Sequence, residues 1–295
     1  MKKLGRALLG FSLVLACSFT AAAQDKAQEM APSSRNVLQI TREFTKPGKA
    51  GAAHDKTESL FVQAMSRAKW PTRYLGMTSL SGKQRALFFT WYESFDAWQK
   101  DNEATAKNTE LSAALERASV ADGELLDSID QGVFVYNEEM SFHRMADISH
   151  MRYMEISSYH VRPGHNEEWR EVVKMVKAAY EKGVPSAHWA MYELRYGGDE
   201  GEYLVITSRK TLAEMDSGPE EGKAFAEAMG ADGMKKLNEL YGASVENSQH
   251  QLFSFNPHMS YVPDEWVKSD PEFWKPKAAA APAAKTAKEP AKAKE

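Results

Sequence analysis

The chain repeats itself. Ile40-Thr41-Arg42-Glu43-Phe44-Thr45-Lys46-Pro47-Gly48 lines up with Ile156-Ser157-Ser158-Tyr159-His160-Val161-Arg162-Pro163-Gly164. Phe134-Val135-Tyr136-Asn137-Glu138-Glu139-Met140-Ser141-Phe142 lines up with Phe253-Ser254-Phe255-Asn256-Pro257-His258-Met259-Ser260-Tyr261. Weaker matches join Trp70-Pro71 to Val184-Pro185 and Leu87-Phe88-Phe89 to Tyr203-Leu204-Val205. The offset is 116 residues at the start and 119 at the end, so each copy must fold as the same supersecondary unit with small insertions.

Each copy reads as strand, helix, strand, strand, helix, strand. Residues 37–44 and 152–161 are rich in β-branched and aromatic side chains and predict the first strands. Pro-Gly then turns the chain. In copy two, Asn166 is a plausible N-cap, and Trp169, Val172, Val173, Val176 and Tyr180 recur at helical spacing before Gly183. In copy one, Leu60, Ala64 and Ala68 mark the equivalent helix less sharply. Hairpins follow over 72–92 and 187–208, with turns at Ser81-Gly82-Lys83 and around Gly197-Gly198. In the second helical region of copy two, Thr211-Leu212-Ala213-Glu214 has the form of a capping box, and Gly218-Pro219 predicts a break. The last strands are expected at 131–136 and 249–255. Such a unit gives a four-stranded antiparallel sheet with both helices on one face. The fold class expected is α+β: two tandem ferredoxin-like β-α-β-β-α-β units whose bare sheet faces pack together as an intramolecular dimeric α+β barrel.

The ends read differently. Lys2, Lys3 and Arg6, an apolar stretch to Thr20 and Ala21-Ala22-Ala23 have the layout of a secretory signal. That places the protein in the periplasm or outside the cell. Val14-Leu15-Ala16-Cys17 offers the alternative of a lipoprotein anchored at Cys17, the single cysteine. From Lys275 onward Ala, Lys and Pro predominate, the composition of a disordered tail. The expected organisation is signal 1–23, linker 24–35, first unit 36–145, second unit 146–262, C-terminal extension 263–274 and tail 275–295. Removing the three positive charges of the signal and the net four of the tail from the −4 of the whole chain leaves −11 on residues 24–274. An acidic body argues against nucleic acid as a partner. No apolar run is long enough for a transmembrane helix. The remaining partners are a small-molecule ligand and, besides the pseudo-dimer, a possible higher oligomer.

The Pro-Gly turn after the first strand, as in Val161-Arg162-Pro163-Gly164-His165, and Phe95-x-x-Trp98 after an aromatic strand resemble the dimeric α+β barrel superfamily. That superfamily includes antibiotic-biosynthesis-type and haem-degrading monooxygenases, and the resemblance covers residues 36–262. It implies a ligand pocket between sheet and helices. The haem-degrading pattern implies an Asn on the first strand, a Trp early in the second helix and an iron-ligating His ten residues later. Here those positions hold Thr41, Trp98 and Asn108, and in copy two the last two hold Glu214 and Ala224. Without an imidazole, haem iron lacks its axial ligand. No cofactor is therefore expected, with haem as the lesser alternative.

Strand alternation sorts candidates onto faces. Leu38, Ile40 and Phe44, with Arg42, suit the barrel interior. Gln39, Thr41 and Glu43 then lie under the helices, as do Glu155, Ser157 and Tyr159. These either line a wet pocket or are satisfied locally by backbone groups. His160, His165 and His188 fit no short metal motif, so no metal site is expected, although a two-His site is possible if the strands bearing His160 and His188 are neighbours. Trp91, Trp98, Trp169 and Trp189 could stack a planar ligand or simply fill the core. The candidate ligand-binding residues are Gln39, Thr41, Glu43, Trp98, Asn108, Glu155, Tyr159 and His188, and copy one, which keeps Trp98, is expected to hold the working pocket. Three functions stay open: a binder of a small aromatic or hydrophobic molecule, a monooxygenase-type enzyme, and a structural envelope protein.

Overall fold

In the computed structural model, β-branched and aromatic runs form eight strands: β1 (Val37–Thr45), β2 (Tyr74–Ser79), β3 (Arg85–Tyr92), β4 (Leu126–Phe142), β5 (Tyr153–Val161), β6 (Trp189–Tyr196), β7 (Glu202–Arg209) and β8 (Val245–Phe255). The structure describes residues 36–143 and 147–275. The expected signal, linker and tail lie outside them, apart from Lys275.

The strands close into one antiparallel barrel in the order β1-β3-β2-β8-β5-β7-β6-β4. The first four strands run β4-β1-β3-β2 and the last four β8-β5-β7-β6, the same internal order. The two seams are β2 against β8 and β4 against β6. Side chains alternate across each strand as the pleat requires. Leu38 and Ile40 of β1, Met154 and Ile156 of β5, and Phe89, Phe134 and Phe253 fill the barrel in a single buried cluster.

The repeated Asn-x-x-Met-Ser stretch bonds both seams. Ser141 Oγ donates to Asn137 O (2.6 Å) and accepts from Met191 N of β6 (2.9 Å). Ser260 Oγ donates to Asn256 O (2.6 Å) and accepts from Gly76 N of β2 (2.9 Å). Gly76 is needed there, because a Cβ would lie 2.4 Å from Met259 O.

Helices α1 (Ala52–Ala68), α2 (Phe95–Lys107) and α3 (Thr109–Gly123) accompany the first four strands, and α4 (Asn166–Gly183) and α5 (Gly218–Ser244) the last four. Short helices α6 (Asp264–Ser269) and α7 (Pro271–Trp274) follow. The segment expected to be a mere extension joins the core: Trp274 is buried in the barrel cluster, and its Nε1 donates to Ser149 O (2.8 Å).

Several local expectations are corrected. Gly218-Pro219 starts α5 rather than breaking it, since proline is tolerated in a first helical turn. The interruption falls at Gly230, whose φ of 72° is left-handed. Thr211 makes no capping bond, and Glu214 Oε2 instead accepts from Lys210 N. Residue 165, not Asn166, occupies the N-cap of α4. Leu60 is 40% exposed, so the buried stripe of α1 runs through His54, Glu58 and Ala64 instead. β4 and β8 begin before residues 131 and 249.

Candidate functional site

In each half, the outer face of the first strand looks toward helices, and the two halves use that space differently. In the second half it is a cavity of about 500 Å³. β5 lends Glu155 and Tyr159, and β7 lends Val205, Thr207 and Arg209. The i, i+3, i+4 stripe of α4 supplies Trp169, Val172, Val173 and Tyr180, while α5 supplies Leu237 and Tyr241. Tyr159 packs on Trp169 (ring centroids 5.2 Å apart) and edge-on to Tyr241 (6.4 Å). Burial pushes the Tyr159 phenol above its ordinary pKa, and the neighbouring Tyr241 adds to that. Burial does the same to Tyr180, with the Glu221 charge assisting. Two polar features stand among these rings. Arg209 Nε donates to Glu155 Oε1 (2.6 Å), and the buried Trp169 Nε1 has no hydrogen-bond partner.

In the first half the same space is filled by polar side chains. Glu43 of β1, His54 and Glu58 of α1 and Asp122 of α3 are 7%, 1%, 3% and 2% exposed. One ligand atom from each lies within 4.8 Å of all the others. His54 Nε2 is 3.2 Å from Glu43 Oε2, 3.2 Å from Asp122 Oδ1 and 4.0 Å from Glu58 Oε1. Thr57 Oγ1 donates to Asp122 Oδ1 (2.6 Å). Glu58 Oε1 and the Tyr74 hydroxyl are buried without a partner.

The electrostatics follow from burying this set together. Burial pulls the His54 imidazolium down, but hydrogen bonds to Asp122 and Glu43 and the Asp122 and Glu58 charges outweigh it and lift the group to about 10. Burial raises Glu58 to about 9, with the Glu43 and Asp122 charges adding and His54 opposing. Burial likewise raises Glu43 against its His54 hydrogen bond.

The residues expected from sequence do not form one site. Glu155 and Tyr159 line the second-half cavity, and Glu43 belongs to the polar cluster. Thr41 Oγ1 accepts from Gln131 Nε2 (3.1 Å), and Gln39 is half-buried on the same outer face. Trp98 packs against Tyr92 (5.9 Å), and Asn108 caps α3 by accepting from Leu111 N (3.1 Å). His188 precedes β6 and bonds Ser208 O (3.2 Å). It cannot join His160, because β5 pairs with β7 and β8 rather than β6. The aromatic cavity lies in the second half, not beside Trp98. His54, Glu58, Asp122 and Arg209 are absent from the residues expected from sequence, whereas Trp169 is among the tryptophans expected to stack a planar ligand or fill the core. The available signal was a helix whose buried i, i+4 positions are His54 and Glu58, where apolar residues belong.

No family model and no curated protein sequence matches the chain. Among solved structures it is similar to a candidate monooxygenase from Lactobacillus acidophilus, at 8% identity and a TM-score of 0.45, over 75% of this chain and 94% of that one. It is similar to an anthrone oxidase-like protein at 10% identity and a TM-score of 0.48, over 77% and 93%. A mutant chlorite dismutase from Candidatus Nitrospira defluvii is similar at 10% identity and a TM-score of 0.44, over 82% and 98%. At such identities the likeness is one of fold.

Proposed function

We propose that the chain binds a small planar aromatic molecule in the second-half cavity. The observation that carries this reading is the ring-lined cavity itself, walled by Tyr159, Trp169, Tyr180, Trp189 and Tyr241 around the Arg209–Glu155 pair. The rings offer faces and edges for a planar partner. Arg209, held by Glu155, has guanidinium N–H groups beyond the Nε bond, suited to a ligand oxygen.

Haem does not fit this lining. Among its described lining residues the cavity offers no imidazole and no thiolate; it offers the Met191 thioether, the Glu155 carboxylate already bonded to Arg209, and three phenols, of which burial holds Tyr159 and Tyr180 protonated. A cofactor-independent monooxygenase would use the same cavity, with the aromatic molecule as substrate.

The reading also takes residues 36–145 and 146–262 as two tandem units forming an intramolecular dimer, exported after removal of residues 1–23. The identical strand order of the two halves and the matching Ser141 and Ser260 seams support the pairing.

Tryptophan fluorescence and thermal shift with quinols, flavins and haem test the cavity. Saturable quenching and a raised Tm with a quinol or flavin, both weakened in Trp169→Phe, are expected. Oxygen uptake with that ligand separates enzyme from binder. Absence of any shift across the panel would refute the proposed binding and favour a structural envelope role.

A further inference from the structure

The polar cluster of the first half has a counterpart that shows what the fold itself requires. Glu43 is the seventh residue of the nine-residue β1, and Tyr159 the seventh of the nine-residue β5. His54 and Glu58 are the first buried i, i+4 pair of α1, and Trp169 and Val173 form the same pair in α4. Asp122 precedes β4 by four residues, and Tyr241 precedes β8 by four. Four matching places therefore hold Glu, His, Glu and Asp in one half and Tyr, Trp, Val and Tyr in the other. The architecture accepts an apolar solution there. Three carboxyl groups and an imidazole are a costly alternative, because each loses hydration and the carboxyls repel one another when ionised.

An ion would resolve the cost. We propose that Glu43, His54, Glu58 and Asp122 bind one divalent first-row transition-metal ion of the manganese(II), iron(II) or zinc(II) class. One imidazole nitrogen with three carboxylate oxygens is a borderline-hard donor set suited to those ions rather than to copper(I). Metal bonds of about 2.1 Å in a tetrahedron place donor atoms about 3.4 Å apart. The distances of 3.2, 3.2 and 4.0 Å from His54 Nε2 bracket that edge, and the widest separation of 4.8 Å requires contraction of about 1.4 Å on loading.

Glu58 Oε1 supplies the independent observation: a fully buried carboxyl oxygen among these donors with no hydrogen-bond partner. Thr57 Oγ1 donates to the same Asp122 Oδ1 that approaches His54 and so holds that carboxyl in place, as outer groups do for metal ligands. Metal binding needs the His54 nitrogen unprotonated and the carboxyls ionised, so loading should weaken as pH falls.

The test uses the full chain, treated with chelator and then offered manganese(II), zinc(II), anaerobic iron(II) or magnesium as the control, both after purification and during refolding. Elemental analysis should return about one transition ion per chain. Titration calorimetry should show one saturable site per chain. Glu58→Gln keeps the shape and removes a charged ligand; it should bind at least tenfold more weakly. Asp122→Asn serves the same purpose if the first variant does not fold, which circular dichroism reports. Less than a tenth of an ion per chain under every loading condition overturns the proposal, as does binding of magnesium alone. Unchanged affinity in the folded variant overturns it too, because the ion then sits elsewhere.

Discussion

Replacing Glu58 by Gln tests the buried cluster through stability alone, with chelator present throughout. Burial lifts the Glu58 carboxyl from 4.5 to about 9, helped by Glu43 and Asp122. Between those two values the unfolded chain has released this proton and the folded chain still holds it. The native state then binds more protons than the unfolded state, so stability falls as pH rises. One such proton gives a slope of about −1.4 kcal/mol per pH unit, and by pH 7.5 the accumulated loss is on the order of 4 kcal/mol relative to pH 4.5. Glutamine is neutral at every pH and nearly the same shape, so the variant lacks this contribution.

His54, raised to about 10 despite its burial, mainly through its hydrogen bonds to Asp122 and Glu43, acts in the same direction above its unfolded value of 6.5, and those bonds remain in both proteins. The informative quantity is therefore the difference between wild type and variant. Urea unfolding at pH 5, 6, 7 and 8 should show the variant gaining on wild type by roughly 1 kcal/mol at each step. Parallel stability profiles would refute the reasoning, because they would mean that Glu58 ionises normally in the folded chain.

Three further substitutions probe a seam, an open helical position and the barrel end. Gly76→Ala forces a Cβ to within 2.4 Å of Met259 O and should cost about 1–3 kcal/mol in chemical unfolding, whereas Gly222→Ala, in open space on α5, should be neutral or gain about 0.5–1 kcal/mol. Trp274→Ala removes the hydrogen bond to Ser149 O and a ring packed against Phe255 (6.3 Å), so it should lower stability by about 3–5 kcal/mol. A silent Trp274→Ala would show that the C-terminal helices are not part of the barrel core.

Much of the barrel is legible in the sequence because strand alternation is a local rule. Leu38 and Ile40 point inward and Glu43 outward by pleat alone, and the structure follows. The Asn-x-x-Met-Ser repeat marks a joint because a serine ending a strand has one place to donate and one to accept. The helices were less readable. Leu60 drew attention as the apolar residue of α1, yet it faces solvent, because the buried stripe of that helix is polar where it meets β1. Trp98 looked like a ligand platform, but its ring packs beside Tyr92 in a small core cluster.

The polar cluster was illegible for a physical reason. Its members come from a strand, two positions on one helix and the end of another helix, and Asp122 meets His54 only once α3 lies beside α1. No spacing rule joins residues so far apart in sequence. The internal repeat supplies a sharper instrument. Where two copies of one architecture place Tyr159, Trp169, Val173 and Tyr241 against Glu43, His54, Glu58 and Asp122, packing cannot be the reason for the second set, since the first already satisfies it. A buried polar group that the fold does not need is costly by several kcal/mol unless something compensates it. In this chain the compensation is either protons or an ion, and the two differ in how stability responds to pH and to chelation.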